Sequence, residues 1–298
     1  MSQNATENLS FSEAPPVVSE WKRFRRVFLQ RGLVVFGLVV IAILVFVAIF
    51  ANLLAPFNPY IGNMAESLQS PSWKHLLGTD IQGRDTLSRL IFGSRTTLMV
   101  GFVTVGSAAI IGLLLGTLAG YMGGIVNQVI MRIMDALMGF PMLVLAILIS
   151  SVLGGGIQNV IIALAIGTMP GYTRLMCGMT MSVKENEYII AEKALGAGSF
   201  RTMVQHVIPN AIQPMIVMVT MMLGNVILAE AGLSFLGIGI KPPGAAWGSM
   251  VNDGYQYMLV NPVLSFAPGL AIMIVVFAFN MLGDGLRDAL DPRLRGTL

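Results

Sequence analysis

The side chains able to do chemistry are few and scattered. The 298 residues hold two histidines, His75 and His206, and one cysteine, Cys177. A hydrolase or transferase working inside a bilayer needs His, Asp, Glu or Ser groups converging at one depth. Here the two histidines fall in polar stretches expected on opposite sides of a membrane. His75 has no second ligand-type residue at metal spacing and reads as a surface histidine, so no metal site is expected. A lone cysteine excludes an internal disulfide or a cysteine cluster, and Cys177 reads as a small packed residue. Phosphate binding by a P-loop needs Gly-Lys-Ser/Thr. Lys22, Lys74, Lys184, Lys193 and Lys241 follow Trp, Trp, Val, Glu and Ile, so ATP has no cradle in this chain. The chain is not expected to be an enzyme or to hold a cofactor.

Three ionisable residues in apolar surroundings remain. Glu230 lies in an uncharged run, where a carboxylate is expensive unless it faces protein or water. It either lines a pathway or takes a hydrogen bond at a helix end softened by Gly232. Arg132 and Asp135 are three apart, hence on one helix face. They are candidates for a transport path, and read first as a structural pair near the inner end of a span.

The elements that must place these residues are membrane helices. Apolar residues make up 55% of the chain and charged ones 11%, with mean hydropathy +0.77; soluble domains carry about 25% charge. At ~20 residues per crossing the chain has room for about six spans. The reading is an all-α integral membrane protein. Residues 1–20 form a polar cytoplasmic tail expected to be disordered, and 21–31 a basic cytoplasmic segment. Residues 32–55 are the first span, too long and too late in the chain for a cleaved signal. Residues 56–94 form an extracytoplasmic loop with an interfacial amphipathic helix, on which Leu87, Leu90 and Ile91 share a face. Residues 95–285 hold five more helices and a cytoplasmic loop at 184–209, and 286–298 a cytoplasmic tail. Gly112, Gly116 and Gly120 form a doubled GxxxG, the spacing that lets a neighbouring backbone approach. Pro141 is expected to bend span three, and Gly167 with Pro170-Gly171 to break span four. Thirteen Lys and Arg fall on the inner side and five on the outer, Lys74, Arg84, Arg89, Arg95 and Lys241. That bias puts both termini inside the cytoplasmic (inner) membrane.

The 184–209 loop, KENEYIIAEKALGAGSFRTMVQHVIP, reads as helix, glycine break, helix. Gly196-Ala197-Gly198 stops the first helix and Ser199 is placed as N-cap of the second. Phe200, Met203, Val204 and Val207 then form one apolar stripe, and Pro209 closes the helix. Such a stripe either folds back on its own chain or docks a soluble partner.

The island resembles the coupling loop of importer-type ABC transporter permeases, Glu-Ala-Ala, three residues, Gly, nine residues, Ile-x-Leu-Pro. Ala191, Gly196, Ile208 and Pro209 match; Ile190, Glu192 and His206 depart from it. HLLGTDIQGRDTLSRLIFGSR, LAEAGLSFLGIGIKPPGAAWGSMVNDG and FAFNMLGDGLRDALDPRL look like the dipeptide/oligopeptide branch, specifically its second, C-type permease subunit. Together the motifs cover most of residues 30–295. The resemblance implies a six-helix importer-type transmembrane domain paired with a homologous second permease. It also implies two cytoplasmic ATPase subunits, which bind ATP and Mg, and an extracytoplasmic substrate-binding protein. The ATPase-docking residues would be Ala191, Glu192, Ala194, Gly196, Ser199, Phe200, Arg201, Met203, Val204 and Pro209. Relatives in the branch carry dipeptides, longer peptides, glutathione, nickel complexes or antimicrobial peptides. A secondary transporter or channel would need more intramembrane charges than Glu230 supplies. No nucleic-acid signature is present.

Overall fold

The first apolar run folds as α1 (Gly32–Ile49), which continues in a single turn, Ala51–Leu54. After an irregular segment, α2 (Thr86–Met122) runs 37 residues without interruption. The next helices are α3 (Gly124–Met138), α4 (Met142–Leu153) and α5 (Ile157–Lys184). A short helix, α6 (Glu187–Ala194), opens the 184–209 loop. α7 (Gln213–Phe235), α8 (Trp247–Tyr255) and α9 (Val263–Leu290) complete the chain. This is a computed structural model describing residues 28–290. The 1–20 tail, most of the basic segment and the end of the C-terminal tail lie outside the described residues.

Among the described residues, α1, α2, α5, α7 and α9 are each long and apolar enough to cross a bilayer. The pair α3–α4 passes the same test together, bent by 90° at its break. Pro141 therefore does more than bend span three. Gly139 ends α3, and Pro141 stands just outside α4 as its N-cap. The missing N–H and the ring make a proline costly within a helix and harmless at its start. Pro170, in contrast, lies buried inside an unbroken α5. The expected break at Pro170-Gly171 is absent, because packing on α2 holds the turns on either side.

That α2–α5 contact is the centre of the bundle. A Cβ added at Gly112, Gly116 or Gly120 would lie 2.4–2.6 Å from atoms of Tyr172, Thr173 or Cys177. The three glycines thus form a groove one turn per step, and α5 lies in it backbone to backbone. Interfaces of this kind hold membrane helices together by close packing, since lipid supplies no hydrophobic drive between helices.

The segment expected to be an extracytoplasmic loop is built differently from its expectation. No separate interfacial helix exists; Leu87, Leu90 and Ile91 belong to the first turns of α2. Asp85 caps α2, accepting from Ser88 N at 2.7 Å, and nothing in the following residues breaks the helix. The charges around it are buried. Arg84 meets Asp80 at 2.6 Å, and Arg89 donates to the Pro59 carbonyl at 3.2 Å. His75 is 3% exposed and its Nδ1 lies 2.9 Å from Asp85, so it is a core residue of this cap, not a surface one. Burial holds the Asp253 carboxyl of α8 above the usual range, against the opposing pull of Arg89 and Arg84. Arg95 closes the end of α1, donating to the Ile49 carbonyl and to Asn52 at 2.9 Å each, and to Ala48.

Candidate functional site

The loop from Lys184 to Pro209 is fixed at both ends by packing. α6 begins after Asn186 and carries Glu187 in its first turn and Lys193 in its last, the charge order its dipole favours. It ends in a Schellman arrangement: Ala197 N donates to Glu192 O at 3.2 Å and Gly196 N to Lys193 O at 3.0 Å. Gly196 has φ +85°, the left-handed conformation this cap requires. Gly198, in extended conformation, is the N-cap of the second helical segment. Ser199 is its first residue and makes no side-chain cap bond, so the expected capping role moves back one position.

The second segment is not one regular helix. It runs Ser199–Thr202, then a π turn Met203–Val207, then Ile208–Ala211. Pro209 sits at the start of the last piece and does not close the helix. A π turn just before it shifts the hydrogen-bond ladder that a proline would otherwise interrupt.

The expected stripe divides between two jobs. Ile189, Thr202 and Val207 are fully buried and hold the loop to its own bundle. Phe200 is 77% exposed and Val204 46%. Leu195, Ile190 and Tyr188 join them, Leu195 at 89%. These last three were not among the expected docking residues. Ala191, Ala194, Gly196, Ser199, Arg201 and Pro209 are also exposed, while Glu192 and Met203 are half-buried. Five large apolar side chains thus stand exposed on this polar loop, covered by nothing among the described residues.

The loop is tied to the spans through one aromatic ring. Tyr121, buried at the C-terminal end of α2, lies under the Lys193 ammonium at 4.7 Å and the Lys184 ammonium at 5.6 Å. Lys184 also donates to the Tyr121 carbonyl at 2.6 Å. Glu192 and His206, both departures from the coupling-loop pattern, face each other at 3.2 Å.

The intramembrane charges fall elsewhere. Asp135 pairs with Arg174 of α5, not with Arg132. The one-face spacing of Arg132 and Asp135 is real, but α5 approaches from the side and takes the carboxylate. Glu230 is 1% exposed and accepts from Ser234 Oγ at 2.7 Å, and Ser234 Oγ in turn accepts from Ile240 N at 3.2 Å. It ties the C-terminal end of α7 to the following loop, facing protein and not an open surface.

With this geometry in view, the comparisons with known proteins are direct. Residues 112–296 match the family described as binding-protein-dependent transport system inner membrane component. The chain belongs to that family. Residues 19–71 of this permease match the N-terminal transmembrane domain of oligopeptide transport permease C. It is 41% identical over 278 residues to the dipeptide transport system permease protein DppC of Alkalihalophilus pseudofirmus, covering 93% of this chain and 91% of that one. It is 38% identical over 280 residues to the glutathione transport system permease protein GsiD of Pectobacterium atrosepticum, covering 94% and 93%. Among solved structures, an inward-facing form of the MetNI methionine ABC transporter superposes with a TM-score of 0.56 at 20% identity. That match covers 69% of this permease and 98% of the solved chain, and it shows a shared ABC importer transmembrane fold.

Proposed function

We propose that this permease is one of two homologous transmembrane subunits of an ATP-driven importer of short peptides, glutathione-like tripeptides included. Two cytoplasmic ATPases bind the nucleotide and Mg, and an extracytoplasmic binding protein delivers the peptide. The chain sits in the inner membrane with both termini cytoplasmic, as its Lys/Arg bias requires. The observation that carries the reading is the exposed patch of Tyr188, Ile190, Leu195, Phe200 and Val204 on a loop anchored to Tyr121. An apolar patch this concentrated on a polar loop marks a protein contact. ATPase closure pushes on it, Lys193 and Lys184 pass the push to α2 and α5, and the spans rock between inward- and outward-facing states. Its permease relatives carry dipeptides or glutathione, both small molecules with free amine and carboxylate groups.

Phe200→Asp tests the docking role. It places a charge in the centre of the patch and leaves the buried anchors untouched. Co-purification of the ATPases with the permease should fall sharply, and peptide-stimulated ATP hydrolysis with it, while membrane insertion is retained. Unchanged ATPase binding and transport would refute the assignment.

A further inference from the structure

The broken α3–α4 span carries charge where a lipid-facing helix could not. Gln128, Arg132 and Asp135 stand at i, i+4 and i+7 on α3, and all three are exposed. Met134 is the one buried residue of that helix. Asp135 and Arg174 form their ion pair with side chains 48% and 52% exposed, so this chain leaves the pair half open. At a rise of about 1.5 Å per residue, Asp135 stands ~16 Å along α3 from Gly124, in a helix pair that together is long and apolar enough to cross a bilayer. Polar Asn127, Gln128, Arg132 and Asp135, with apolar Val129 and Ile133 between them, line an open concavity of about 580 Å³ along α3.

A second observation is independent of the charges. Residues 139–141, between α3 and α4, are non-helical and exposed. Irregular backbone at membrane depth is tolerated only where protein buries it or water reaches it. The first N–H groups of α4 have no partner within their helix and carry its positive dipole end. Charged side chains, open backbone and a helix N-terminus therefore lie on one stretch of the chain, and none of them can face lipid.

We propose that this stretch is a charged step on the translocation path that handles the two ends of a zwitterionic peptide. Resting on the importer reading above, it names a site that reading does not. Arg132 and Arg174 take the peptide carboxylate. Asp135, released from Arg174 as the carboxylate arrives, takes the ammonium. The ion pair keeps both groups satisfied while the path is empty, so neither is left as an isolated charge in a low dielectric.

The test uses the assembled complex in proteoliposomes with its ATPases and binding protein. On a Cys177→Ala background, Arg132→Cys should react with a membrane-impermeant cationic thiol reagent, and Ile110→Cys, on the outer surface of α2, should not. The double variant Asp135→Leu/Arg174→Met keeps bulk at both positions and removes the charges. Uptake of a simple dipeptide should fall about tenfold or more, the loss of one charge-assisted hydrogen bond, with assembly and ATP hydrolysis retained. A structural pin would predict uptake near wild type in that variant. Uptake within about twofold of wild type, or an unreactive Arg132→Cys, would overturn the charged step. Should the double variant fail to assemble, the labelling arm decides alone. A wild-type complex that takes up no peptide with ATP would instead overturn the importer reading, and the charged step with it.

Discussion

The α2–α5 groove makes a quantitative prediction, because the close approach is made by backbone and cannot be relieved by a rotamer change. At Gly116 an added Cβ would sit 2.5 Å from the Thr173 carbonyl oxygen, 2.7 Å from Met176 Cβ and 2.9 Å from Cys177 N. Ordinary contact needs about 3.5–4 Å, so the helices must part by roughly 1 Å, a gap that forfeits a quarter to a half of the dispersion well along the seam. Overpacking of this kind costs about 1–3 kcal/mol. Alanine returns about 1 kcal/mol through its better helix propensity. The net expectation for Gly112→Ala, Gly116→Ala or Gly120→Ala is a loss of up to about 2 kcal/mol each. Pairs of these substitutions should cost less than their sum, since one retreat of α5 accommodates both. Gly106 of α2 and Gly178 of α5 have nothing within 4 Å of a built Cβ. Alanine there should be neutral or stabilising by up to about 1 kcal/mol. Unfolding midpoints of the detergent-solubilised permease, read across all five variants, test the geometry. If the five shift alike, the close approach of α2 and α5 is wrong.

Other outcomes follow from single contacts. Asp85→Ala removes the cap of α2 and the partner of buried His75; it should destabilise the extracytoplasmic cap by about 2–4 kcal/mol. Protease sensitivity near residue 80 should rise accordingly, and an unaltered digest would count against the cap. Lys193→Met removes one cation from the Tyr121 ring. Peptide uptake per ATP hydrolysed should fall while overall stability shifts by less than about 1 kcal/mol; an unchanged ratio would free the loop from the role of transmitter. A hydrogen bond from Lys74 holds the Glu66 carboxyl below its ordinary range. A depressed acid stabilises the fold above its unfolded pKa, and that contribution disappears as pH falls through the lower folded value. Lys74→Ala should therefore flatten the acid limb of a stability curve taken between about pH 6 and pH 3; an unchanged limb would place its origin elsewhere.

Apolar runs reveal membrane spans because a bilayer demands about 20 uncharged residues whatever the tertiary context. α1, α2, α5, α7 and α9 were legible on that ground alone. The glycine ladder of α2 was legible too, since its spacing has one structural use in an apolar helix. The 56–85 segment was not. Its Asp, Arg and His residues look solvated locally, and the chain that meets them comes much later: Asp253 approaches Arg84 at 4.0 Å and Asn261 donates to the Gln69 carbonyl at 3.1 Å. Exposure within the 184–209 loop was half legible. Period 3.6 marks Phe200, Met203, Val204 and Val207 as one face, but the π turn at Met203–Val207 rotates the ladder. That rotation sends Val207 inward and leaves Phe200 and Val204 outside.

The departures of the loop from its family pattern are best understood as a pair. Glu192 stands where the pattern has alanine and His206 where it has isoleucine, and taken singly each looks like a loss of the motif. In the fold they lie 3.2 Å apart across the two helical pieces of the loop. Glu192 Oε2 is buried without a hydrogen-bond partner, so its attachment runs through Oε1 and His206 alone. A charge that could serve the ATPase is thus turned inward to hold α6 against the segment that follows Gly198. In the proposed docking, contact is left to the exposed apolar side chains and to exposed Lys193 and Arg201. If this is so, removing both partners at once restores the pattern without opening the loop. Glu192→Ala/His206→Ile should then couple ATP hydrolysis to uptake as well as the wild type, whereas Glu192→Ala alone strands His206 and should couple less well. Equal loss in the single and the double variant would mean that Glu192 contacts the ATPase directly.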